Sequence, residues 1–192
     1  MIRSLMTLLL LGFLAACDPA ADVTRASQGA DSIDLPPGTA PAFGQMARRC
    51  GVDVTRGAEK VGRFPDTRQG VTLYDSNPQS TQMRPFFLTG FADNCPRQFM
   101  AALVTTGTPG GHEFVRYEAT PASVAYSPTD TAYERIKRAT CGAGKGKPCG
   151  NRLSRLEKQM AFFIAYQRFG TNESWAEFLV HNRNLIAASL EN

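Results

Sequence analysis

Four cysteines, Cys50, Cys95, Cys141 and Cys149, constrain this chain most, because each pair they form fixes which distant segments must meet. Whether they pair depends on the compartment, and the first residues decide that. Arg3 precedes an apolar run over residues 5–16 that only Thr7 and Gly12 interrupt. The run is shorter than the roughly 20 residues a membrane-spanning helix needs, so it reads as an export signal over residues 1–16. In an oxidising compartment thiols persist poorly, and an even count argues for disulfides. Three connectivities are open; the expected one joins Cys141 to Cys149 and Cys50 to Cys95.

The fifth cysteine closes the stretch Leu14-Ala15-Ala16-Cys17, which resembles the lipobox of bacterial lipoproteins. The resemblance implies that Cys17 is acylated and becomes the new N-terminus. It therefore implies a cell-envelope protein anchored by lipid and facing an extracytoplasmic space, the periplasm, with inner or outer membrane left open. One acyl chain binds membranes only marginally, so the several chains of a lipoprotein are what make such attachment stable.

The segment "ATCGAGKGKPCGN" around Cys141 and Cys149 admits rival readings that spacing removes. A Walker loop needs a glycine where Cys141 stands and a Ser or Thr where Pro148 stands. A thioredoxin-like pair has two residues between its cysteines, against seven here. A zinc site wants histidines nearby, and His112 and His181 are isolated. A stapled turn remains: Gly142, Gly144 and Gly146 permit the tight turns of a short loop, and closing it stabilises the fold by roughly 2 to 3 kcal/mol.

Residues 17–41 are rich in Ala, Pro, Gly, Ser and Asp and cannot bury enough apolar surface to offset ordering entropy, so a flexible tether is expected there. Residues 42–192 then form a single globular domain. The apolar spacing of Phe43, Met46, Ala47 and Cys50 predicts a short helix stopped by Gly51. Strands are expected at residues 71–74, 84–91 and 97–106, with "FADNCP" turning a hairpin through Asp93 and Asn94. Thr108-Pro109-Gly110-Gly111 is expected to break structure, with one more strand over residues 113–117. Ser127-Pro128 should open a helix that ends at Gly142, and Asn151 should cap another with Leu153, Leu156 and Met160 inward. Residues 161–169 and the tail from Ser174 fit helix or strand, and strands are preferred. The expected class is α+β: a small antiparallel sheet with two or three packed helices in one disulfide-stapled domain.

Catalytic signatures are missing from the sequence. There is no Gly-x-Ser-x-Gly elbow, no Ser followed three residues on by Lys, and "GGHEF" has Arg116 where a metalloprotease helix needs its second His. No metal ligand set and no cofactor motif is found. His112 is expected in an exposed loop, His181 in a terminal turn, and Trp175 as a core or sheet-face anchor. Charge is more informative. Of the 21 Lys and Arg, eight fall between residues 134 and 158: Arg135, Lys137, Arg138, Lys145, Lys147, Arg152, Arg155 and Lys158, with Glu134 and Glu157 as the acids. These define a candidate anion-binding face centred on the stapled loop. Its expected partner is an anionic envelope component or an acidic protein; the charge alone would also suit nucleic acid, which the compartment makes a poor candidate and which is not expected. Two function classes follow. One is a non-catalytic binding or assembly module. The other is an envelope enzyme in which His112 or His181 meets a carboxylate such as Glu113 or Glu118.

Overall fold

The computed structural model describes residues 32–191; the expected export signal and the expected acylation site Cys17 lie outside them. Alternating apolar residues form strands that fall into two sheets. One sheet runs in the order β1 (Ile33–Asp34), β2 (Ala47–Arg48), β6 (Arg97–Ala101), β5 (Arg84–Thr89), β4 (Val71–Asp75), β3 (Glu59–Phe64). The other runs β10 (Asn184–Glu191), β9 (Trp175–His181), β8 (Met160–Tyr166), β7 (Leu103–Gly107). All pairings are antiparallel except that of β1 with β2. The class is α+β, but ten strands in two sheets among the described residues exceed the small sheet expected.

The sheets are joined where one stretch of chain changes partners. Residues 97–106 do not make one strand: β6 ends at Ala101 and β7 begins at Leu103. Between them Ala102 donates its N–H to Tyr166 of the second sheet and accepts from Arg84 of the first. Inward residues of both sheets share one core, in which Phe99 lies 5.2 Å from Phe178 and 5.8 Å from Phe86, and Phe64 lies edge-on to Phe163. Burying each such ring stabilises the fold by roughly 2 to 3 kcal/mol.

Helices cover the outer face of the second sheet. These are α1 (Pro109–Phe114), continued by a wider turn over Val115–Ala119, then α2 (Pro128–Cys141) and α3 (Leu153–Glu157). Tyr133 and Leu156 pack on Met160, Phe162, Leu179 and Ala187 of the sheet. No helix among the described residues is long and apolar enough to cross a membrane.

Both disulfides have the expected connectivity, Cys50–Cys95 and Cys141–Cys149. Helix α2 starts on a capping box, Ser127 Oγ accepting from Asp130 N and Asp130 from Ser127 N, and stops at Gly142, whose φ of 67° suits glycine. The hairpin before Cys95 turns through Asn94 at φ 58°, with Asp93 accepting from Cys95 N. Residues 160–166 and the tail are strands, as preferred, the last two turning at Asn182-Arg183.

Five further expectations fail. Residues 43–50 do not form a helix: Arg49 N bonds Pro96 O and Ile33 N bonds Met46 O, so the segment is drawn out along β6. A stretch so short gains little from one helical turn, while pairing with β6 satisfies its backbone. For the same reason the tether does not extend to residue 41, since Ile33–Asp34 is already a strand of the sheet. Thr108-Pro109-Gly110-Gly111 begins a helix instead of breaking one: Thr108 Oγ1 caps Gly111 N, and a side chain at Gly110 would meet Leu153 and Glu157 at 3.3 Å. Residues 113–117 are helical too. Finally, Asn151 caps nothing; a 3-10 turn over Gly150–Arg152 leads into α3, and Met160 belongs to β8.

Candidate functional site

Helices α1 and α2 turn buried polar side chains toward the stapled loop. Lys137, expected on the anion-binding face, is wholly buried and is therefore not part of it. Its ammonium reaches Glu134 Oε2, Tyr117 OH and Lys147 O, each at 2.7 Å, which uses all three of its donors. Glu134 Oε1 accepts from Tyr117 OH at 2.7 Å and Gly146 N at 3.0 Å. Burial alone would raise the Glu134 carboxyl; Lys137, Gly146 and Tyr117 overturn this and hold its pKa below the ordinary value. Burial, and then Glu134, push the Tyr117 phenol up. Glu113 Oε1 accepts from Tyr133 OH and Cys149 N, both at 2.8 Å. Three buried side chains thus hold the loop backbone at residues 146, 147 and 149.

The other cations of the face are exposed: Arg135, Arg138, Lys145, Lys147, Arg152, Arg155 and Lys158. Arg152 also donates to Cys141 O at 2.8 Å, closing the end of α2. With Glu134 committed inside, Glu157 is the only exposed acid between residues 134 and 158.

A second feature lies past the other end of α2, where the outer face of the second sheet is left uncovered. Register places Trp175 opposite Glu191 and Glu177 opposite Ser189 on that face. The N-terminus of α2 and residues 115–127 wall it into a cleft of about 490 Å³, lined among others by His112, Arg116, Tyr126, Asp130, Trp175 and Glu177. That volume is within the range of small-molecule sites.

His112 is not in an exposed loop, as the sequence suggests, but on α1. Its ring stacks on Phe162 at 4.5 Å and leans on Tyr133, and Nε2 lies 3.4 Å from Asp130 Oδ1. The carboxylate beside it is Asp130, not Glu113, which bonds the loop, nor Glu118, which is exposed. Burial drives the imidazole down to about 4, against the opposing pull of Asp130 and Glu134. Asp130 Oδ2 is shared with Arg116 Nε at 3.2 Å and Ser127 N at 3.0 Å. Arg116 also donates to Val124 O and lies 4.0 Å from the Tyr126 ring, which Lys145 of the stapled loop approaches at 4.1 Å. His181, the other candidate, sits at the end of β9 with its ring 3.3 Å from the Asn182 amide, and no carboxylate pairs with it among the described residues.

Glu177 accepts from Thr129 Oγ1 at 2.6 Å, and Thr129 also touches Ser189 Oγ at 3.1 Å. No cation pairs with Glu177 among the described residues. Burial raises its pKa, and Asp130 and Glu191 raise it further against the Thr129 hydrogen bond.

The fold and these sites define an α+β unit of two sheets and a helical layer. No family model, curated protein or solved structure matches the chain.

Sequence reasoning found the stapled loop and most of its cations but missed the cleft. In the sequence Asp130 is only an acid in the first turn of the helix expected after Ser127, and Glu177 lies in the tail that fits helix or strand. The alternation of Trp175 and Glu177, two residues that share one strand face, was the signal available.

Proposed function

We propose that this chain is a lipid-anchored envelope protein, attached through Cys17, whose domain is a non-catalytic binding or assembly module. The observation that supports this most is the construction of the stapled loop. Buried Glu113, Glu134 and Lys137 grip its backbone, so Lys145 and Lys147 stand on a fixed platform beside Arg135, Arg138, Arg152, Arg155 and Lys158. A preformed array of cations loses little entropy when it meets an anionic surface. Each basic residue at such a surface contributes about 1 kcal/mol. The partner chemistry is therefore a polyanionic component of the envelope.

The test is co-sedimentation of the mature chain carrying Cys17→Ser with vesicles of anionic or neutral phospholipid. Binding should favour the anionic vesicles and fall with salt, and K145E/K147E should weaken it about tenfold or more. Equal binding by the double variant would leave the loop a purely structural staple.

One observation favours the enzyme reading, the approach of His112 to Asp130 inside a cleft. Two facts weigh against it. An imidazole held at about 4 is a weak base at neutral pH, and Asp130 is already engaged by Arg116 and Ser127 N. Screening hydrolytic activity of the wild type against His112→Asn decides between the readings: turnover lost in the variant would establish the enzyme.

A further inference from the structure

From the cleft, which meets the basic face only where Lys145 stands over Tyr126 and is independent of the lipid anchor, we infer a binding site for a small organic ammonium ion, held between Trp175 and the carboxylate of Glu177.

Three observations carry this. The first is shape: the cleft is concave, of small-molecule volume, and its wall is partly apolar through Val115, Val124 and Ala125. The second is charge. The guanidinium of Arg116 is spent on Asp130, Val124 O and the Tyr126 ring, and His112 stands against Asp130. What remains uncompensated in the lining is Glu177 and Glu191. The buried acids among the described residues each have a partner suited to them: Asp75 has Arg84, Glu134 has Lys137, and Glu113 has a hydroxyl and a backbone N–H, whereas Glu177 is half-buried. Glu177 has one hydroxyl and no cation. The third is the neighbour: two residues along the same strand face, Trp175 presents an indole, the side chain that attracts cations best. Carboxylate and indole on one face, in a walled recess, are the two halves of an ammonium site. An anion is disfavoured there by Glu177 and Glu191, and a neutral apolar ligand would leave Glu177 desolvated without a partner.

The chain contains a single tryptophan, so its fluorescence reports on this cleft alone. The experiment titrates the mature chain carrying Cys17→Ser, disulfides formed, with benzylammonium, choline, benzyl alcohol and benzoate. Benzylammonium or choline should change the emission saturably, with a dissociation constant on the order of 1 mM, and bind at least about tenfold more tightly than benzyl alcohol or benzoate. Glu177→Gln, which keeps the Thr129 hydrogen bond, should abolish that preference. Acetyl-lysine methylamide, titrated in parallel, separates a free amine from a lysine side chain carried on a peptide as the source of the ammonium group. Benzyl alcohol binding as well as benzylammonium, benzoate binding better, or no saturation by either cation overturns the inference, and the ligand series on the wild type tests it even if Glu177→Gln does not fold. Vesicle binding by the basic face is read in a different experiment and is untouched by any of these outcomes.

Discussion

The two sides of the second sheet are built on opposite principles. Its inner face meets the first sheet through Phe86, Phe99, Phe163 and Phe178, an apolar contact bordered by the Arg84 guanidinium 4.7 Å from the Phe86 ring, where Arg84 pairs with Asp75. Its outer face meets the helices through an apolar floor that carries Glu113, Glu134, Lys137 and Tyr133 above it. The inner contact draws its energy from area removed from water and depends little on direction. The outer one is directional: each polar group is tolerable only while its partner is in place. The inner face therefore supplies stability, and the outer face supplies a fixed geometry for the stapled loop and the cleft.

That contrast breaks most visibly in the apolar core. Phe178→Ala removes a fully buried ring packed on Phe99 and should cost about 3 to 5 kcal/mol by denaturant unfolding. A loss under about 1 kcal/mol would mean that the sheets are not held by this contact. Next comes the polar layer. Lys137→Met strands Glu134 among buried groups and should cost about 3 kcal/mol. The double variant Lys137→Met with Glu134→Gln should recover much of that, because the partnerless charge is gone. Phe178 has no such rescue, and a double-variant cycle with no recovery would erase the distinction drawn between the two faces.

The staples sharpen it further. Closing Cys50–Cys95, 45 residues apart, should contribute about 4 kcal/mol, and Cys141–Cys149, 8 apart, about 2 to 3 kcal/mol. Because Glu113, Glu134 and Lys137 also grip the second loop, Cys141→Ser with Cys149→Ser should lose less than loop length alone gives. Cys50→Ser with Cys95→Ser should lose nearly the full amount. Paired unfolding curves of the two double variants measure the difference.

The inner face was readable from sequence and the outer one was not, for a physical reason. In β5 apolar residues alternate as a half-buried strand requires, so a strand was expected there; β8 is a continuous apolar run and β9 alternates only in its first half, so both fit helix or strand and strands were a preference that periodicity did not decide. Helix α1 and the turn after it run the other way: Glu113 and Arg116 face inward while Phe114 and Val115 are exposed. An inverted amphipathic segment defeats any rule that sends apolar residues inside, and so residues 113–117 looked like a strand. The same inversion hid the cleft, since the residue that lines it, Arg116, was legible only as a failed metalloprotease motif. Of the basic face, seven of eight cations were placed on the surface correctly; Lys137 was not, because nothing in its neighbourhood announces that Tyr117 and Lys147 O close over it.

The smallest effect tests the cleft without any ligand. A carboxyl whose folded pKa lies above its unfolded value binds more protons in the native state than in the unfolded one between those two values, so stability falls as pH rises through that window. Glu177 is in that position: burial, Asp130 and Glu191 raise it, and Thr129 only partly opposes them. At neutral pH its ionised form is therefore a net cost to the fold, whereas Glu134, whose folded pKa is depressed by its donors, contributes stability there that is lost on acidification. Glu177→Gln should accordingly raise stability at pH 7, by about 0.5 to 1 kcal/mol. The gain should vanish below the ordinary glutamate range near pH 4, where the wild-type carboxyl is protonated in both states. Thermal melts of the two proteins from about pH 3 to pH 8 read this directly. A destabilised Glu177→Gln at pH 7 would show that the carboxylate already has the partner it needs within the fold, and would remove the charge argument for the cleft. A stabilised one shows a residue the fold would be better without, which is the usual mark of a group kept for what it binds.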